Sequence, residues 1–119
     1  MVEISGCLIL QDDKLLMTYR PDIEAWGVPQ GPRKHGELTS DAAERIAEDV
    51  TGCTTETARY RRRFKTEFEM EGEKFLWQPY SMHIDGEPQD AEWVPLDKVD
   101  SRELAPPLSS VAGKIQEKL

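Results

Sequence analysis

Two groups of side chains in this sequence have types and spacing suited to phosphate chemistry. Cations able to meet a phosphate stand at Arg20, at Arg33 and Lys34, and in the dense run Arg61, Arg62, Arg63 and Lys65. Acids gather in one short segment, Asp41, Glu44, Glu48 and Asp49, with Arg45 among them and Glu37 upstream. Guanidinium groups grip phosphate or carboxylate at two points, and carboxylates hold hard cations through oxygen, so a small phosphorylated ligand is open to this chain. Trp26, Trp77, Tyr80 and Trp93 are candidates for stacking a base, although aromatic residues in strands usually fill the core. His35 and His83 are isolated, with no Cys or His partner at the spacing of a transition-metal site.

The totals narrow the class. A formal net charge of -8 argues against non-specific binding to nucleic acid, which depends on neutralising phosphates. With 32% charged and 38% hydrophobic residues in 119, the composition fits one globular domain over residues 1–119. Cys7 and Cys53 each sit in an apolar stretch, which predicts buried thiols and a cytoplasmic address. No apolar run approaches the ~20 residues of a spanning helix, so no membrane partner is expected.

The elements that must position these groups follow from periodicity. Val2 to Leu10 and Lys14 to Tyr19 read as strands around the turn residues Gln11-Asp12-Asp13. Three Gly and two Pro between Trp26 and Gly36 mark a shaped loop. A helix from about Ser40 to Thr51 follows, capped by Thr39 or Ser40 and ended at Gly52, with Ala42, Ala43, Ile46, Ala47 and Val50 at helical spacing. Ala58 to Met70 and Lys74 to Ile84 read as a second hairpin around Glu71-Gly72-Glu73, and strand alternation would put Arg61 and Arg63 on one face and Arg62 on the other with Phe64. Ala91 to Leu96 reads as a short strand and Leu108 to Leu119 as a closing helix. The order predicts an α+β domain with helices packed on a sheet.

The stretch GVPQGPRKHGELTSDAAERIAEDVTGC resembles the Nudix box, G-x5-E-x7-R-E-U-x-E-E-x-G-U, where U is aliphatic. Gly31, Glu37, Arg45, Gly52 and Cys53 take its anchors, and the flanking SGCLILQDDKLLMTYR and DAEWVPLDKV look like the family's strands. The resemblance implies the Nudix fold, a mixed β-sheet packed between helices as an α/β/α sandwich. It also implies hydrolysis of a nucleoside diphosphate linked to another group, with Mg²⁺ or Mn²⁺ as cofactor. Pro29-Gln30-Gly31 is closer to members that cut dinucleoside polyphosphates or RNA 5′ ends.

The chain departs from that pattern where the metal is held. The family's three helix ligands correspond here to Ile46, Asp49 and Val50, so two of three carboxylates are missing. By the resemblance Glu37, Arg45 and Asp49 are the catalytic positions; Asp49, with Glu48 if it swings round, is left for a metal, and residue type makes Arg20, Trp26 and Arg63 the candidate substrate contacts. At about 100° per residue, Asp41, Glu44 and Glu48 share a face nearly opposite Ile46 and Val50 and do not simply replace the lost ligands. Glu67, Glu69, Asp90 and Glu92 are the acids outside the helix that a rebuilt site would draw on. Three readings stay open: a hydrolase with weakened activity, a nucleotide-binding domain without turnover, and an interaction module, which would show itself as an apolar patch or a homodimer.

Overall fold

The computed structural model describes residues 1–56 and 59–119. Strand β1 (Val2–Gln11) turns through Asp12 and Asp13, both at positive φ, into β2 (Lys14–Arg20), and the short strands β3 (Ala25–Gly27) and β4 (Gln30–Pro32) follow. Helix α1 spans Thr39–Thr51. Strands β5 (Thr54–Thr55), β6 (Arg59–Tyr60), β7 (Thr66–Met70), β8 (Glu73–Met82), β9 (Ile84–Asp85) and β10 (Glu92–Pro95) precede helix α2 (Leu108–Lys118).

The main sheet runs β10-β2-β1-β8-β6, with β3, β4 and β7 paired to its members. It is mixed: β1 and β8 lie parallel, Ile4 opposite Trp77 and Cys7 opposite Tyr80, while the other pairings are antiparallel. Strand alternation sends Ile4 and Leu8 of β1 to one side, where they pack with Trp77, Phe64 and the α2 residues Leu108, Val111 and Ile115. Cys7 and Ile9 go to the other side, against Ala42, Ala43, Ile46 and Ala47 of α1. The sheet therefore has a helix on each face, the expected α/β/α arrangement. Both cysteines are buried free thiols, and burial pushes Cys7 up to about 12. Among the described residues, no helix is long and apolar enough to cross a membrane.

Three local expectations need correction. The N-cap of α1 is Leu38, with no side-chain cap; the Thr39 hydroxyl instead meets the Tyr80 hydroxyl at 2.6 Å, a partner on β8. The strand expected from Ala58 to Met70 is interrupted by a 3-10 turn at Arg62–Phe64, and Ala58 itself lies outside the described residues. Tyr60 pairs with Tyr80 and Thr66 with Trp77, so six steps on this side face three on β8. Pro79 sits inside those three steps and has no N–H to extend the ladder; its carbonyl accepts from the Arg61 N–H at 2.9 Å, and Phe64 turns fully into the core. The alternation expected of Arg61, Arg62 and Arg63 is lost with the strand.

Two glycines are demanded for different reasons. Gly52 ends α1 at φ 73, with its N–H on the Glu48 carbonyl at 2.9 Å and open space around it. Gly6 lets the Trp77 indole lie directly on the backbone of β1, where a Cβ would overlap the ring. Gly52→Ala is therefore expected to cost about 1 kcal/mol, the left-handed penalty alone, and Gly6→Ala about 3 kcal/mol, because a large buried ring must move. Urea unfolding of both variants checks this order, which would be reversed if the Trp77 contact were unimportant.

Candidate functional site

The residues anchoring the loop before α1 to the helix converge on Glu37. Its Oε2 accepts from Arg45 Nε at 3.0 Å, and its Oε1 accepts from Arg45 Nη2 at 3.0 Å and from the Lys34 N–H at 2.8 Å. Arg45 Nη2 also donates to the Pro32 carbonyl at 3.2 Å. One guanidinium thus ties β4, the loop and α1 together through a two-point pair, the strong form of such contacts. The pair with Arg45, and then the Lys34 N–H, hold the Glu37 carboxyl down at about 2. Arg45 is raised in turn, chiefly by Glu37, with Asp49 adding a smaller part through its charge.

Beside this clamp lies a cleft of about 380 Å³. Its walls come from β1 and β2 (Ile4, Thr18, Arg20), from the stretch Val28 to Gly31, from Val50 near the end of α1, and from the β7–β8 hairpin (Phe68, Met70, Phe75). Phe68 and Phe75 are cross-strand partners with ring centroids 5.2 Å apart and nearly parallel planes. Two larger hollows, of about 540 and 730 Å³, lie elsewhere: one beside Met1 and Arg33, whose guanidinium is tied to Glu3, and one around Asp12, Asp97 and Asp100.

The two positions that break the box are not equivalent. Ile46 is 6% exposed, and its Cδ1 packs where a Cβ on Gly31 would sit, 3.2 Å away. Val50 is 40% exposed and faces the cleft. Asp49 is exposed and lies outside the cleft lining. Glu48 is engaged on another face, its Oε2 accepting from the Thr55 N–H at 3.2 Å and the Thr55 hydroxyl at 3.0 Å. Glu37 has both oxygens occupied by Arg45 and Lys34. The described residues contain no cluster of three or more His, Cys, Asp or Glu placed to hold a metal ion. The donor set therefore does not fit a divalent cation held on this helix.

Other sequence-predicted residues are dispersed. Arg20 lines the cleft, with its Nη2 on Asp22 at 2.8 Å. Trp26 does not: the Arg102 guanidinium lies 4.5 Å over its ring, Tyr19 packs against it at 5.3 Å, and its backbone bonds to Glu103 and Ala105. Trp26 is thus a brace between β3 and the segment before α2. Arg63 sits exposed on the 3-10 turn, outside the cleft lining. Of the outside acids, Glu92 is held at two points by Arg102, both contacts at 2.7 Å, and Glu67, Glu69 and Asp90 do not line the cleft. Sequence reasoning missed Phe68, Phe75 and Met70 as cleft residues; the alternation of Phe68 and Met70 with Glu67 and Glu69 along β7 was the available signal for that strand.

The clamp makes a pH-dependent claim. A carboxyl with a lowered folded value adds stability that is fully present above its unfolded value of about 4.3 and is lost as pH falls towards 2. Thermal unfolding of Glu37→Gln should therefore approach the parent as pH drops from about 4.3 to about 2, after a clear deficit at neutral pH. A gap that stays constant over this window would refute the pairing.

No family model matches the chain, and no curated protein matches it by sequence. Solved structures do. A NUDIX hydrolase from Nitrosomonas europaea superposes with a TM-score of 0.80 at 18% identity, over 98% of this chain and 88% of its own. A MutT NUDIX hydrolase from Burkholderia pseudomallei gives 0.78 at 23% identity, over 99% and 97%. An Ap4A hydrolase from C. elegans gives 0.73 at 18%, over 98% and 96%. At such identities the likeness is one of architecture, and over nearly its whole length this chain has the Nudix fold.

Proposed function

We propose that the chain binds a small phosphorylated nucleotide in the cleft between α1 and the β7–β8 hairpin, and that any metal-dependent hydrolysis is orders of magnitude slower than a full set of helix carboxylates would support. The observation that carries this is Val50: an isopropyl group faces the cleft at a position where the box resemblance expects a metal-binding glutamate. Metal assistance to phosphoanhydride cleavage contributes several kcal/mol, and each ~1.4 kcal/mol lost is tenfold in rate. The names of the similar folds, MutT and Ap4A hydrolase, support a nucleotide as ligand and a hydrolase as ancestor. The clamp of Glu37 and Arg45 supports a retained scaffold, because it works without a metal.

A residual hydrolase is favoured by one observation: Asp49 is exposed one turn beyond Arg45, within reach of its field. A substrate whose phosphates bring Mg²⁺ or Mn²⁺ would meet one carboxylate there, as such sites sometimes do.

Dinucleoside polyphosphates, nucleoside triphosphates and ADP-sugars, each assayed with Mg²⁺ or Mn²⁺, should bind in calorimetry with turnover far below the ~10 s⁻¹ typical of enzymes. Turnover near that rate, abolished by Asp49→Ala, would overturn the proposal. Val50→Glu should leave stability within about 0.5 kcal/mol and raise affinity for Mn²⁺. Ile46→Glu should cost about 3 kcal/mol, since it forces a carboxylate against Gly31 in the core; equal tolerance of both would contradict the burial difference between them.

A further inference from the structure

The cleft's lining departs from what a polyphosphate with its metal would require, and the departure itself indicates a ligand. Of the described residues that line the cleft, only Arg20 carries a charge. The same lining includes Val50, Met70 and the stacked pair Phe68 and Phe75. Val50 and Met70 remain 40% and 37% exposed, so large apolar surface faces the opening. A triphosphate brings several negative charges, and one cation without a metal leaves most of them uncompensated in a partly desolvated place. A flat ring, by contrast, gains from apolar and aromatic walls. The cleft volume of about 380 Å³ lies at the small end of ligand pockets.

Arg20 is the natural anchor for a single anion. Its present partner is Asp22, in an exposed pair at 2.8 Å, and exposed ion pairs of this kind contribute little. A phosphate or carboxylate can therefore take the guanidinium at small cost. The preference for one anionic group follows from having one cation; the preference for a ring follows from the apolar lining.

Resting on the nucleotide-binding reading above, we propose that this cleft is specialised for a planar heterocycle bearing one anionic group, of the nucleoside monophosphate class, and that it takes this ligand independently of divalent cations. The ring packs against Val50, Met70 and the Phe68–Phe75 pair, beside the helix position that the box resemblance gives to a metal ligand, and the anion pairs with Arg20.

Calorimetric titration with nucleosides, nucleoside monophosphates and nucleoside triphosphates, each in EDTA and in excess Mg²⁺, tests this. The monophosphate of at least one base should bind at least as tightly as its triphosphate, with an affinity that Mg²⁺ leaves unchanged. Arg20→Ala should reduce the monophosphate to the affinity of the nucleoside. Met70→Ser, at a half-exposed rim position that does not carry the core, should weaken nucleoside and monophosphate alike by about tenfold; circular dichroism confirms that the variant is folded. Affinity that climbs with phosphate number and requires Mg²⁺ would overturn this inference while leaving nucleotide binding intact. Equal affinity of nucleoside and monophosphate in the parent would overturn the role of Arg20. If nothing in the series binds, the nucleotide reading falls and this inference falls with it.

Discussion

The grip of Arg45 on Glu37 is the constraint on which the site geometry depends. A loop rich in Gly and Pro has few contacts of its own, and its path from β4 to α1 is set by what its polar groups can reach. Here one carboxylate takes two guanidinium donors and the Lys34 N–H, and the same guanidinium takes the Pro32 carbonyl. The result is a loop fastened at both ends to one helix side chain. Val28 to Gly31, held on β1 by the β4 pairing and by the Cys7 N–H on the Pro29 carbonyl, and Val50 of the clamped helix form adjoining parts of the cleft.

That clamp and the metal-binding function usually associated with such a helix are physically separable. Arg45 and Glu37 satisfy each other, whereas a hard cation needs carboxylates with free oxygens facing the cleft. The sequence keeps the first requirement and gives up the second in two distinct ways. Ile46 fills the contact between α1 and Gly31, so it adds to packing; Val50 is 40% exposed and lines the cleft. The aromatic pair on the β7–β8 hairpin and Met70 extend the same lining.

How far the sequence made this visible depends on how local the cause was. The turns at Asp12-Asp13 and Glu71-Gly72 and the end of α1 at Gly52 were legible because each arises from a few adjacent residues. The resemblance to the Nudix box singled out Glu37 and Arg45, whose pairing the structure then shows. Features decided by distant partners were not legible. The strand breaks at Arg62–Phe64 because Pro79 lies opposite and Phe64 enters the core. Trp26 is covered by Arg102 rather than open to a base. Leu38 stands at the N-cap of α1, and the Thr39 hydroxyl is drawn to Tyr80 instead of capping the helix. Ile46 and Val50 look alike in a helical pattern, and only the approach of Gly31 to one of them tells buried from exposed.

We propose above that the cleft side of α1 is a scaffold without a metal site. Titrating Mn²⁺ into isotope-labelled protein and following amide line broadening by NMR tests it most directly, because the paramagnetic ion marks its own position. The account predicts no saturable, selective broadening of the amides from Arg45 to Thr51 as one equivalent is added. Selective loss of the Asp49 and Val50 signals at one equivalent, reversed by EDTA, would contradict it.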